Sequence, residues 1–396
     1  MKIFRKGILD WFILSYLMTY AQKSLKLHEK YQGKISIISK VPLENKDELS
    51  TFYSPGVAAP CLEIAKNPQM AYRYTMKKNT IAIISDGSAV LGLGNIGALA
   101  GLPVMEGKAI LFKKFGNVDA IPLVVDTQDP DEIIKFVEQV SPNFWGINLE
   151  DIAAPKCFYI EEALKNRLNI PVFHDDQHGT AIVVLAGLIN AVKLKNQTLE
   201  EQKIVISWAG AAAIAIWKLL HKAGVQEILF VDSKGIISPD REDLNEYKKE
   251  VLSFSKNQTS WTLLDALKGR SVFIGVSKGN LLKAEDLKTM DKDPIIFALA
   301  NPDPEISPEE AQKGGAFIVA TWRSDYPNQI NNLLAFPGIF RGALDAGITQ
   351  ITDEHKLAAA YALAKKVKNL SVDHILPSVF EEGIADAVSE AVKKIG

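Results

Sequence analysis

Two short apolar runs, each closing on an adjacent pair of acids, constrain this chain more than any other feature. Residues 145–151 read Trp-Gly-Ile-Asn-Leu-Glu-Asp and residues 170–176 read Ile-Pro-Val-Phe-His-Asp-Asp. Apolar runs of this length read as buried strands. Side chains alternate along a strand, so the two acids of a pair point different ways. At the carboxyl ends of neighbouring parallel strands, Glu150-Asp151 and Asp175-Asp176 would share one crevice, where open α/β sheets put their ligands. Such carboxylates, with no cysteine nearby, suit Mg²⁺ or Mn²⁺ and not zinc. One pair alone would read as caps of the following helix. Two pairs flanking a single helix-sized segment favour a metal.

The rest of the chain supplies a frame for that crevice. Residues 18–50 predict a helix and then a short strand at 34–38. Tyr53 stands just before the Pro55-Gly56 turn, where tyrosine is more often a packing residue than an acid. A strand at 81–84 precedes Gly92, Gly94 and Gly97, a Gly-x-Gly-x-x-Gly. The strand does not run directly into these glycines, and Gly101 and Pro103 should cut short any helix after them. The motif therefore reads as an active-site loop and not as a cofactor turn. Lys108 lies in the otherwise apolar stretch 105–112. It is a general base if burial and neighbouring charge tune it, or a lysine snorkelling from a strand end. A strand at 120–125 and an amphipathic helix at 130–140 lead to the acid pairs.

A strongly apolar helix at 180–194 then joins two domains, and the pattern becomes regular β-α-β. Strands at 203–207 and 227–232 flank a helix at 211–223, the first half of a Rossmann unit. The fingerprint is damaged: residues 208–213 read Trp-Ala-Gly-Ala-Ala-Ala. Gly210 would let the backbone approach a pyrophosphate and Ala213 is an allowed third position, but Trp208 is not an acceptable first glycine. Asp232 comes 22 residues after Gly210, on schedule to hold ribose hydroxyls. Strands at 272–277 and 295–300 end in Ser277 and Asn301. Asn331-Asn332 either reads a carboxylate or caps a helix. Two or three amphipathic helices at 353–396 close the domain.

At 396 residues the chain has room for two domains. A net charge of −2 with no basic run excludes nucleic-acid binding. Two cysteines, Cys61 and Cys157, are too few for a disulfide framework and indicate a reducing cytoplasm. Lys2, Arg5 and Lys6 precede a short apolar run at 11–18, too short to span a bilayer. It reads as a translated leader ahead of Met18, so no membrane is expected.

Taken together, 53–58 (Tyr-Ser-Pro-Gly-Val-Ala), 85–97, 105–108 (Met-Glu-Gly-Lys), 148–152 (Asn-Leu-Glu-Asp-Ile), 175–180 (Asp-Asp-Gln-His-Gly-Thr) and 336–339 (Phe-Pro-Gly-Ile) resemble the malic enzymes, in their short form. The likeness runs from about Met18 to the C-terminus. It implies an α/β fold with an N-terminal substrate and metal domain (18–185) and a doubly wound, parallel-sheet Rossmann domain (186–396), in a homodimer. It implies Glu150, Asp151 and Asp176 as ligands of Mg²⁺ or Mn²⁺. Lys108, supported by Asp175, becomes the base on the malate hydroxyl, and Tyr53 the acid that protonates the enol carbon. Asn301 and Asn332 become substrate-carboxylate contacts. Gly210, Ala211, Ala213, Asp232 and Ser277 fall where the dinucleotide is held. NAD⁺ is favoured if Asp232 repels a 2′-phosphate, and Lys234 weakens that preference. Larger members carry an arginine where this chain has Ala89, so different carboxylate contacts are expected. The implied reaction is oxidative decarboxylation of malate. The rivals are a malolactic or oxaloacetate-decarboxylating enzyme of the same family and a metabolite-binding protein that has lost catalysis.

The resemblance also singles out tryptophan. At Trp145, Trp208 and Trp322, and at Trp261, the family has glycine. An indole at such positions should block a turn or collide with the pyrophosphate. A common cause is UGA read as tryptophan in a genome that reads it as glycine.

Overall fold

Alternating strands and helices build two sheets in the computed structural model, which describes residues 19–90, 92–208, 210–244, 246–252 and 262–395. The expected leader, Trp11 and Trp261 lie outside these residues. The described residues open with the helices α1 (Tyr20–Tyr31), α2 (Lys46–Phe52) and α3 (Ala58–Lys66), followed by short helical turns up to Asn79. The first sheet consists of β1 (Thr80–Ser85), β2 (Asp119–Val124), β3 (Gly146–Leu149) and β4 (Val172–His174). Its order is β2-β1-β3-β4 and every pairing is parallel. The crossovers are α4 (Ala98–Gly116), α5 (Pro130–Val140) and α6 (Lys156–Arg167). The start of α5 shows how locally these boundaries are set. Asp129 accepts from the N–H groups of Asp131 and Glu132, Pro130 occupies the first turn, and Ile133, Ile134 and Val137 turn inward.

Helix α7 (Asp175–Leu194) follows β4 without a loop. The expected domain boundary at 185/186 falls inside it. Among the described residues it is the one helix long and apolar enough to cross a membrane, but most of it is buried in the core. It packs on α8 (Ala211–Lys222) of the second sheet. That sheet holds β5 (Lys203–Ser207), β6 (Glu227–Asp232), β7 (Gly235–Ile236), β8 (Val272–Gly275), β9 (Ile295–Ala298) and β10 (Ile318–Thr321). Its order is β10-β9-β8-β5-β6-β7, parallel except for the β6–β7 hairpin. The order reverses between β5 and β8, so a crevice opens at their carboxyl ends. One apolar cluster runs through both sheets, from Ile81 and Phe173 through α7 to Ile204 and Phe297.

Helices α9 (Phe336–Ala346), α10 (Asp353–Lys366) and α11 (Ile384–Lys393) close the chain. A Cβ on Gly338 would lie 2.6 Å from Cβ of Val388 and 2.7 Å from the carbonyl of Ala385. Gly338→Ala should therefore lower stability by about 1–3 kcal/mol, the usual cost of overpacking. A urea unfolding midpoint equal to that of the unsubstituted chain would show that α9 and α11 can move apart freely.

Two local expectations fail. Residues 34–38 are not a strand, because no neighbour pairs with them; Ile37 and Ile38 are 96% and 81% exposed. Gly101 and Pro103 do not end the helix after the glycine loop, since both lie within α4. A Cβ on Gly101 would lie 3.7 Å from Gly87 and Val90, an ordinary contact, so the glycine neither ends the helix nor is required by its packing. The N–H that Pro103 lacks would have faced the carbonyl of Leu99. Leu99 is 81% exposed, so water can take that place.

Candidate active site

The parallel β3–β4 pairing brings the two acid pairs side by side, at the carboxyl ends of both strands. Asp175 and Asp176 also form the first turn of α7, so the cap-like placement and the crevice placement coincide. The side chain of Lys108 comes off α4 into this group, 7% exposed. Its Nζ donates to Glu150 Oε1 at 2.8 Å and to Asp175, and lies 4.0 Å from the ring centroid of Phe336. Lys108 is thus on a helix and buried in an ion-pair cluster, not snorkelling from a strand end.

The carboxylates are held by further donors. Asn148 Nδ2 donates to Glu150 Oε2 at 2.8 Å, and the N–H of Asp151 donates to Asp176 Oδ2 at 2.8 Å. Asn332 donates to Asp175 from the turn Asn332–Leu334, while Asn331 caps that turn. Asp175 Oδ1 is buried without a hydrogen-bond partner. A Cβ on Gly179 would come within 1.9 Å of it, which is why the motif has glycine there.

Burial dominates the electrostatics. It pushes the carboxyls of Glu150, Asp175 and Asp176 upward, with Lys108 opposing; repulsion from Asp176 adds to the rise at Glu150. At Lys108 burial acts downward, but the attraction of Asp175 and Glu150 outweighs it and holds the ammonium above the ordinary lysine range. Lys108 is therefore a cation in the chain alone.

A cavity of about 450 Å³ opens beside this cluster, lined by Asp151, Asp176, Asn301, Gly210, Ser277 and Trp322 among others. Ala211, Ala213 and Trp208 also line it, as do Ala89 and Gly92 of the glycine loop. Asp232 borders a second cavity of about 760 Å³, on the far side of Trp208 and Ser277. Tyr53 is brought to neither. It is 68% exposed at the end of α2 and hydrogen-bonds to none of the cluster residues. Trp145 lies in the core with its N–H on the carbonyl of Thr80, without the expected obstruction of a turn.

Three supports had no signal in the sequence. Glu305 is fully buried and accepts from the N–H and hydroxyl of Ser277 and from the N–H of Ala300, bracing the ends of β8 and β9. Arg241 donates to Asp232 through Nη1 and Nη2 at 2.7 and 3.0 Å, and Lys248 adds a contact at 2.6 Å. Lys234 does lie beside Asp232, donating its backbone N–H to Oδ1 at 2.9 Å, while its side chain pairs with Asp243.

Glu150, Asp151 and Asp176 were expected to ligate Mg²⁺ or Mn²⁺. Among the described residues, however, no three His, Cys, Asp or Glu side chains are gathered closely enough to hold an ion. Glu150 is turned to Lys108 and Asn148 instead. The donor chemistry still fits a hard divalent cation. Glu150 and Asp175 pair with Lys108, Asp176 acts on it at longer range, and buried acids raised by desolvation gain from an added positive charge.

A dinucleotide-type sheet joined to an acid-and-lysine crevice defines a two-domain α/β enzyme of the nucleotide-dependent oxidoreductase class. The family model for the malic enzyme NAD-binding domain matches residues 177–395, and that for the malic enzyme N-terminal domain matches 32–130 and 127–165. The chain belongs to the malic enzyme family. It is 52% identical to the bifunctional malic/malolactic enzyme of Bacillus subtilis, over 95% of this chain and 93% of that one. It is 53% identical to the NAD-dependent malic enzyme of Geobacillus stearothermophilus, over 91% and 76%. The crystal structure of the NAD-dependent malic enzyme of Thermotoga maritima superposes with a TM-score of 0.91 at 48% identity, covering 93% of this chain and 98% of that one.

Proposed function

We propose that the chain catalyses oxidative decarboxylation of malate to pyruvate and CO₂ with reduction of NAD⁺ or NADP⁺, supported by Mg²⁺ or Mn²⁺. The observation that carries this reading is the buried Lys108–Asp175–Glu150 cluster beside the cavity at the β5/β8 switch point. Relatives named as NAD- and NADP-dependent malic enzymes support it.

In this reading Asn301 and Asn332 orient the malate carboxylates, and Asp175 and Phe336 fix Lys108 over the hydroxyl. Lys108 accepts the hydroxyl proton as C2 is oxidised, and Tyr53 protonates the enol left after CO₂ departs. Glu150, Asp151 and Asp176 would hold the divalent ion. Bound there, the ion would polarise the substrate oxygen and offset the carboxylate charge that keeps Lys108 protonated. Gly210, Ala211, Ala213, Asp232 and Ser277 would hold the dinucleotide, which accepts the hydride.

A homodimer fits the N-terminal segment. Helices α1 to α3 contain no buried residue, and Ile37, Ile38, Phe52 and Tyr53 are exposed. Association through this face is also the route by which Tyr53 reaches an active site. The free cysteines, Cys61 exposed and Cys157 buried, suit the cytoplasm.

Initial rates of malate-dependent reduction with each cofactor, with and without Mn²⁺, test the proposal. Lactate formed without reduced dinucleotide would instead establish the malolactic reaction, which the name of the Bacillus subtilis relative makes the specific rival. Cofactor choice should follow Arg241. It and Lys248 neutralise Asp232, so a 2′-phosphate meets no net repulsion there. Arg241→Ala should lower kcat/KM for NADP⁺ relative to NAD⁺ by roughly 10–100-fold, the worth of a charged hydrogen bond. An unchanged ratio would remove Arg241 from cofactor selection.

A further inference from the structure

We infer that position 208 is a glycine in the working enzyme, the tryptophan arising from a UGA codon read with the wrong table, and that the indole bars the dinucleotide. The inference rests on the dinucleotide reading above. Trp208 has φ +78°, a left-handed conformation in which a bulky residue is a genuine outlier and glycine is at ease. Positions 208, 210 and 213 stand at the three places of the Gly-x-Gly-x-x-Gly/Ala fingerprint, and the first of these makes the tight turn after the strand.

The side chain compounds the backbone problem. A Cβ on Gly210 would lie 2.9 Å from Trp208 Cδ1, so the indole covers the residue whose bare backbone should meet the pyrophosphate. Trp208 also lines both cavities, one holding Asp232 and the other Asp176 and Asn301. A dinucleotide has to run from one to the other, and the indole stands between them. Trp322 also lines the cavity that holds Asp176 and Asn301. Gly210, Ala211 and Ala213 line the same cavity. Among the described tryptophans the backbone misfit is confined to Trp208, and UGA differs from the glycine codon GGA by a single base. Trp145, buried with ordinary backbone, adds no strain to the argument.

Two measurements test this separately. The gene should carry UGA at codons 145, 208 and 322, and peptide mass spectrometry of the protein from its own source should find glycine at all three. UGG codons, or tryptophan in the peptides, overturn the decoding. Calorimetric titration with NAD⁺ and NADP⁺ should show Trp208→Gly binding at least about tenfold more tightly than the tryptophan chain. Trp208→Ala, which clears the indole but keeps the backbone conflict, should fall between them. Equal affinities overturn the obstruction. Glycine in the natural peptide with no dinucleotide bound by any of the chains would uphold the decoding and overturn the dinucleotide reading instead.

Discussion

Lys108→Ala is expected to abolish malate oxidation, by about 10²–10⁴-fold in kcat if the lysine acts as a positioned general base. The same change leaves Asp175 and Glu150 buried without their cation, and truncating one side of a buried ion pair costs roughly 3–5 kcal/mol. Loss of activity could therefore be loss of fold. Lys108→Arg separates the two, because it keeps the charge but cannot give up a proton near neutral pH. It should retain most of the thermal stability and little of the turnover. Mn²⁺ affinity should not fall in either variant, since the lysine competes with the ion for Glu150. Near-normal turnover by the arginine variant would remove Lys108 as the base. The linkage has a definite sign. The folded ammonium is held above its ordinary value of 10.5, so its contribution to stability is complete at neutral pH. That contribution is lost only as the pH rises past that value and through the folded one.

Glu150→Gln and Asp176→Asn should each raise the Mn²⁺ concentration needed for half-maximal activity by more than about tenfold. Even changes one shell further out cost roughly 10–100-fold in metal affinity or activity. Both amides keep the shape of the acid, and asparagine at 176 can still accept from the N–H of Asp151, so folding should survive. Thermal unfolding followed with added Mn²⁺ gives a readout independent of turnover: the ion should stabilise the unsubstituted chain more than either variant. Superimposable Mn²⁺ titrations for all three proteins would move the metal away from these carboxylates.

How much of this was legible in the chain varies with how local the cause is. The two parallel-sheet domains, the helix Pro130–Val140 and the strands Lys203–Ser207 and Glu227–Asp232 could be read directly. Apolar periodicity, an N-cap acid and a proline in the first turn act within a few residues of each other. The acid pairs were legible for the same reason. A strand end is a local event, and the rule that parallel strands present their carboxyl ends together does the rest. Gly210 stands at the start of α8 and Asp232 at the end of β6, as the short-range fingerprint spacing suggests.

Tertiary structure decided the matters that depend on who the neighbour is. Residues 34–38 alternate like a strand, yet no edge lies beside them to supply hydrogen bonds. Pro103 was expected to stop a helix and does not, because it falls where water can satisfy the carbonyl it leaves free. Lys108 carries no mark of its burial. Its charge state is set by Asp175 and Glu150, which are 67 and 42 residues away in the chain. Arg241 closes on Asp232, Glu305 braces Ser277, and Asn332 donates to Asp175 across 157 residues. Coulombic and hydrogen-bond energies depend on separation in space and on burial, which the order of residues does not encode. The local fold and the candidate carboxylates were therefore readable in the sequence. The charge state of the lysine, the grip on Asp232 and the distance of Tyr53 from the site emerged only once the chain had packed.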